Sequence, residues 1–125
     1  MIKVFIPTDR KFNYDECKKL FDKCSLSINE NQEFKDIVKN TFFYAFYSDD
    51  KLIGCIYYYI KDNKLFVNAF ADRHTHLLNI ECFKKTFDWF NCDIYAQTPY
   101  KTAILCLYRC GFKKIDDNLY KYERE

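Results

Sequence analysis

Glycine is the residue that most limits what this chain can become: its 125 residues contain two, Gly54 and Gly111. Glycine is the default wherever a backbone must turn left-handed or approach a ligand without an intervening Cβ. Its scarcity excludes collagen-like and low-complexity architectures, and it leaves almost no glycine for a loop that cradles phosphate. The remaining composition demands a folded core. Apolar residues make up 49% and aromatic ones 20%, more hydrophobic side chain than a disordered chain carries. The length is that of one module spanning residues 1–125.

Twenty basic and eighteen acidic residues leave a formal charge of +2, with the cations scattered, so nucleic-acid binding through bulk charge is not indicated. No stretch approaches the roughly 18 consecutive apolar residues that span a bilayer, and Met1 to Arg10 lacks the apolar core and small-residue site of a secretion signal. The expected location is the cytoplasm. Cys17, Cys24, Cys55, Cys82, Cys92, Cys106 and Cys110 are odd in number, lie in apolar stretches and form no C-x-x-C pair. They read as free core thiols, with no metal site and no disulfide framework.

Periodicity sets the order of elements. Ile2 to Ile6 is β-branched and aromatic and stops at Pro7, a first strand. Tyr14, Cys17, Leu20, Phe21 and Cys24 share one helical face. A short second helix from Asn31 to Lys39 turns Phe34, Ile37 and Val38 inward. Thr41 to Ser48, Lys51 to Ile60 and Leu65 to Ala71 then form a three-strand meander, broken at Ser48-Asp49-Asp50 and Lys61-Asp62-Asn63. A third helix runs from Leu77 to Phe90 with Ile80, Phe83, Phe87 and Phe90 on one stripe. Cys92 to Gln97 is a strand, Lys101 to Cys110 an apolar helix ended by Gly111, and Phe112–Ile115 with Leu119–Glu123 a closing hairpin across Asp116-Asp117-Asn118. The order β-α-α-β-β-β-α-β-α-β-β predicts an α/β fold, with a mixed, mostly antiparallel sheet of about six to seven strands flanked by about four helices.

Two local patterns in this order resemble the GNAT family of acyl-CoA-dependent N-acyltransferases. In DDKLIGCIYY, an acidic turn precedes the hydrophobic-hydrophobic-Gly step Leu52-Ile53-Gly54. In AILCLYRCGFKKI, Ala103 precedes by eight residues the Gly111-Phe112 step that opens the next strand. The resemblance covers almost the whole chain and is strongest from Asp50 to Ile115. It implies a GNAT-like fold and acyl transfer from acetyl-CoA or another acyl-CoA to an amine, borne by a small molecule or a protein. It also implies a cofactor site between Leu65–Ala71 and Cys92–Gln97. There pantetheine would pair with the strand that ends in Phe70 and Ala71, and the pyrophosphate would rest on amides of Arg73, His74, Thr75, His76 and Leu77, where the start of a helix favours anions.

The sequence departs from the family pattern at two places. No glycine lies between Gly54 and Gly111, so Cβ atoms stand where the family's loop is usually bare. The position four residues before Gly111, often a Tyr that protonates the leaving thiolate, is Leu107, and Tyr100 replaces the Asn that often starts that helix. Tyr108, the adjacent hydroxyl, is the candidate acid, although one residue rotates a helical side chain by about 100°. Amine acylation also needs a base. Asp72 is the candidate, with Asn68, His74 and His76 nearby, and helix capping or surface turns are the plain alternatives for these residues.

A second reading follows from those departures and from the aromatic excess. It is a GNAT-like module without acyl transfer, similar to GNAT-like proteins of bacteriophage genomes, acting in the host cytoplasm or the virion. Consecutive Tyr57, Tyr58 and Tyr59 alternate between sheet faces. One face, with Phe42, Tyr44 and Phe46, is expected to form a tyrosine-rich surface for a protein partner or self-association.

Overall fold

The computed structural model describes residues 2–72 and 76–124. Its elements are β1 (Ile2–Phe5), α1 (Tyr14–Cys24), a 3-10 turn (Ser25–Ser27), α2 (Phe34–Asn40), β2 (Phe42–Ser48), β3 (Lys51–Lys61), β4 (Lys64–Ala71), α3 (His76–Phe87), β5 (Ile94–Gln97), α4 (Lys101–Arg109), β6 (Lys113–Asp116) and β7 (Leu119–Tyr122). One seven-stranded sheet has the order β1-β2-β3-β4-β5-β7-β6. Every pairing is antiparallel except β4 with β5. The element order and the mixed α/β sheet agree with the sequence reading.

Aspartate and asparagine do the turning that glycine usually does. Asp49 and Asp50 have φ of 50° and 66°, Asp62 and Asn63 52° and 62°, and Asn118 57°. Positive φ at both central residues of the first two hairpins gives the twist that matches right-handed strands. Short polar side chains tolerate this region better than other non-glycine residues.

The differences from expectation lie at element ends. α2 starts at Phe34 and not at Asn31, because the Glu30 carboxylate accepts the backbone N–H groups of Asn31 and Gln32, each at 3.1 Å, and holds that segment in a local turn. α3 stops at Phe87. Beyond it Trp89 N–H donates to Thr86 O at 3.1 Å and Phe90 N–H to Phe87 O at 3.4 Å, tightened bonds that close the helix.

Two cores sandwich the sheet. On one face Phe43, Ala45, Tyr57 and Phe70 pack with Cys17 of α1 and Phe34 and Ile37 of α2. On the other, Phe46, Ile56, Tyr58 and Val67 meet Phe83 and Phe87 of α3 and Leu107 of α4. The expected open aromatic face is therefore corrected. Tyr57 and Tyr58 are fully buried, Tyr44 packs on Trp89 with centroids 4.8 Å apart, and Phe46 stacks on the same indole. Strand alternation sends these rings to opposite faces, and the helices and Trp89 then cover both. Phe42 stays half exposed at the edge of this region.

Candidate functional site

β4 and β5 pair only at Leu65↔Ile94 and Phe66↔Tyr95. From there β4 continues along β3 to Ala71, whereas β5 follows β7 through Gln97↔Leu119. The two central strands splay apart, and splaying orphans main-chain groups that must find other partners. Asp72 N–H donates to Ile53 O at 2.9 Å. By the alternation of an antiparallel ladder, this turns the main-chain groups of Phe70 and Asn68 towards β3 and those of Ala69 and Ala71 towards the gap.

The gap opens into a cleft of about 590 Å³ that reaches both faces of the sheet. Leu20, Cys24, Ile28 and Asn29 line it on the α1 side. Ile80, Phe83, Thr102, Cys106 and Leu107 line it on the α3–α4 side, with Lys23 and Arg109 as cations in its wall. The size suits a small-molecule or cofactor site.

Side chains satisfy the groups exposed by the splay. The Asn68 carboxamide folds back so that its Oδ1 accepts Ala69 N–H at 2.9 Å, while its Nδ2 donates to Asn29 O at 3.1 Å. Asn29 Nδ2 in turn donates to Gln97 O on β5 at 2.8 Å. Cys24 Sγ lies 3.5 Å from Ala71 O. The next residue, Glu30, anchors the strap that carries Asn29: Tyr57 donates its hydroxyl hydrogen to Glu30 Oε1 at 2.6 Å. Burial, and then the carboxylate it serves, push the Tyr57 hydroxyl well above the usual tyrosine value.

Of the sequence-derived site residues, Phe70, Ala71 and Asp72 line the cleft. Phe70 turns its ring into the α1-side core, against Phe21 at 5.4 Å, and its main-chain groups face β3, so it borders the cleft without offering it a main-chain partner. Asp72 Oδ2 is 3.6 Å from Lys51 Nζ, and the Asp72 carbonyl accepts from Asn79 Nδ2 at 3.0 Å. Tyr108 is not brought to the cleft. Leu107 and Arg109 line it, while Tyr108 is half exposed on α4, edge-on to Tyr120 at 5.7 Å, as the 100° helical step requires. Arg73, His74 and Thr75 lie outside the described residues, and His76 and Leu77 are described only as the first turn of α3.

Sequence reasoning missed Asn29, Gln97 and Cys24. Asn29 and Gln97 are 68 positions apart, and an Asn in a loop carries no local sign of its partner. Cys106 was read as a core thiol; it is only part-buried in the cleft wall. A hydrogen bond with Cys110, one turn on, pulls its thiol below the usual value while burial opposes this.

No family model matches the chain. No curated protein matches it either. Solved structures do. An N-acetyltransferase from Staphylococcus aureus Mu50 superposes with a TM-score of 0.74 over 98% of this chain and 97% of that one, at 14% identity. The chain has the GNAT acetyltransferase fold. An acetyltransferase from Bacillus subtilis in complex with CoA shares the GNAT fold with a TM-score of 0.68 at 11% identity, each chain covered in full. A GNAT family acetyltransferase from Elizabethkingia anophelis with acetyl-CoA bound aligns over 92% of this chain and 78% of that one, with a TM-score of 0.59 and 17% identity. In this GNAT fold both glycines have structural work. Gly54 sits where β3 passes under Asn79, and Gly111, at φ 95°, terminates α4. Among the described residues no helix is long and apolar enough to cross a membrane.

Proposed function

We propose that this protein transfers an acyl group from acyl-CoA to an amine. The observation that carries the reading is the splay between β4 and β5, which opens a cleft of about 590 Å³ through the sheet. A thioester cofactor entering from the α3–α4 side and an amine entering from the α1 side would meet there.

The cleft fits the pantetheine arm. Its walls are largely apolar, and the gap-facing main-chain groups of Ala69 and Ala71, where Asn68 Oδ1 takes the Ala69 N–H and Cys24 Sγ the Ala71 carbonyl, suit the amides of an extended ligand that displaces those side chains, the logic of adding one more strand. Lys23 and Arg109 supply positive charge in the wall. Bound acyl-CoA supplies the activated acyl group. The chain's own part is to align the amine with that group and keep bulk water out, which converts an encounter into a positioned reaction. Asp72, a cleft-lining carboxylate close to Lys51, is the group we assign to receive the amine proton. Tyr108 takes no part in this scheme, because it does not line the cleft and packs edge-on to Tyr120.

Calorimetric titration with acetyl-CoA tests the reading. Saturable binding, abolished by a bulky Ala69→Trp change at the gap-facing edge of β4, is expected. No heat at millimolar acetyl-CoA overturns it.

A further inference from the structure

On the α1 side the cleft is bridged by the chain itself. Asn29, on the strap between α1 and α2, donates through Nδ2 to Gln97 O at 2.8 Å and accepts from Asn68 Nδ2 through its carbonyl at 3.1 Å. A single residue thus ties β5 to β4 across the gap where their own ladder has ended. The tie lies on the α1 side, opposite the α3–α4 wall.

The contacts are of a kind that can be exchanged. Both lie near the surface, where water or a ligand competes for them, and each contributes a modest net stabilisation. The strap is pinned one residue later by Glu30, which takes the Tyr57 hydroxyl at 2.6 Å and two backbone N–H groups at 3.1 Å. Asn29 can therefore swing while its neighbour stays in place.

The chemistry of the mouth selects what replaces it. Gln97 presents a carbonyl oxygen, the Asn68 carboxamide oxygen is engaged with Ala69 N–H, and Glu30 contributes a carboxylate beside Tyr57, whose ladder partner is Asn68. Lys23 of α1 also lines the cleft, so net charge does not make the selection; the lone pairs of the Gln97 carbonyl do, because they take an N–H donor and offer nothing to a carboxylate or a phosphate. They suit a group with several N–H donors. The Nδ2 amide nitrogen of Asn29 already occupies the place of such a group.

We propose that Asn29 is a gate on the acceptor mouth of the cleft, and that a primary amine opens it by taking the place of Asn29 Nδ2 on the Gln97 carbonyl. The gate rests on the acyl-transfer reading for its biological sense, but amine binding is measurable without any cofactor.

The test is a titration with n-butylamine, followed by NMR at the Thr98 backbone amide, which shares the peptide group of the Gln97 carbonyl, and at the Asn68 carboxamide. Tetramethylammonium, equally charged but without N–H, is the control. Wild type is compared with Asn29→Ala and Asn29→Leu, both of which remove the internal donor without adding charge. Butylamine should shift these signals saturably and tetramethylammonium should not. Because the internal bond no longer competes, both variants should bind butylamine more tightly, by about two- to tenfold. If either variant fails to fold, as judged by its amide spectrum, the other decides. Equal or weaker binding in the variants, identical shifts with the two cations, or no shift in any chain overturns the gate. Separate titration of wild type with acetyl-CoA keeps the two readings distinct: lack of cofactor binding removes the acyl-transfer reading and leaves the amine result to judge the gate alone.

Discussion

Replacing Gly54 with alanine tests how tightly the GNAT scaffold is packed beneath its cleft. A Cβ at this position would stand 3.0 Å from Asn79 Oδ1, 3.1 Å from Ala71 Cβ and 3.2 Å from Phe70 O. The Asn79 side chain can swing, at the cost of its bond to the Asp72 carbonyl. The other two neighbours cannot: Gly54 pairs with Ala71 and Cys55 with Phe70 in the β3–β4 ladder. Overfilling a packed site costs about 1–3 kcal/mol. Gly54 has no positive φ, so alanine also restricts the unfolded chain and returns about 0.4–1 kcal/mol. The net expectation is a loss of about 1–2 kcal/mol, or a melting temperature lower by roughly 3–10 °C for a chain of this size. Urea unfolding followed by circular dichroism reads it as a lower midpoint at unchanged slope. Gly111→Ala provides the contrast. There the added Cβ meets only the Tyr122 ring, at 3.5 and 3.6 Å, so its cost comes from φ 95° and not from crowding. Asparagine at position 111 should recover part of the loss, whereas asparagine at position 54 should deepen it. A Gly54→Ala protein as stable as wild type would refute the crowding argument.

Two further outcomes follow from the buried hydroxyls and thiols. Burial raises the Tyr47, Tyr57 and Tyr58 hydroxyls above the ordinary tyrosine value, and hydrogen bonds to Glu16 and Glu30 raise the first two further. The folded chain then keeps protons that the unfolded chain releases above about pH 10, so their contribution is complete below that pH and is lost as pH rises towards the native values. Urea midpoints should fall steeply above pH 10, less so in Tyr57→Phe; a flat alkaline limb sinks the assignment. Native titration with an aromatic disulfide should label exposed Cys92 first and the part-buried cleft thiols Cys24 and Cys106 next, while buried Cys17, Cys55, Cys82 and Cys110 wait for unfolding. Saturating acetyl-CoA should slow Cys106 and spare Cys92, and equal rates with and without it would place Cys106 outside the cofactor's path.

Much of the scaffold was legible in the residues because it is written in local periods. Ile80, Phe83 and Phe87 recur at helical spacing and face one core. The acidic and amide turns fall where φ is positive, and the glycine after Arg109-Cys110 ends α4 as the pattern required. The helix starting at Asn31 was not, since the Glu30 carboxylate captured two amide groups that a helix would have used. The end of β4 at Ala71 was also legible, because a strand end that precedes a helix is visible in one dimension. Tyr108 shows the opposite case. Its neighbours in sequence reach the cleft, yet its place on the helical wheel turns it towards Tyr120.

The sequence alone determined the order of strands and helices, the hairpin turns and the two places where a side chain is unwelcome, since each depends on residues within a few positions of one another. Only the tertiary structure decided how far β4 and β5 stay paired, that helices cover both aromatic faces, and that Asn29 meets Gln97 across the gap. These depend on how distant segments satisfy backbone groups and apolar surface together, and no spacing along the chain records that.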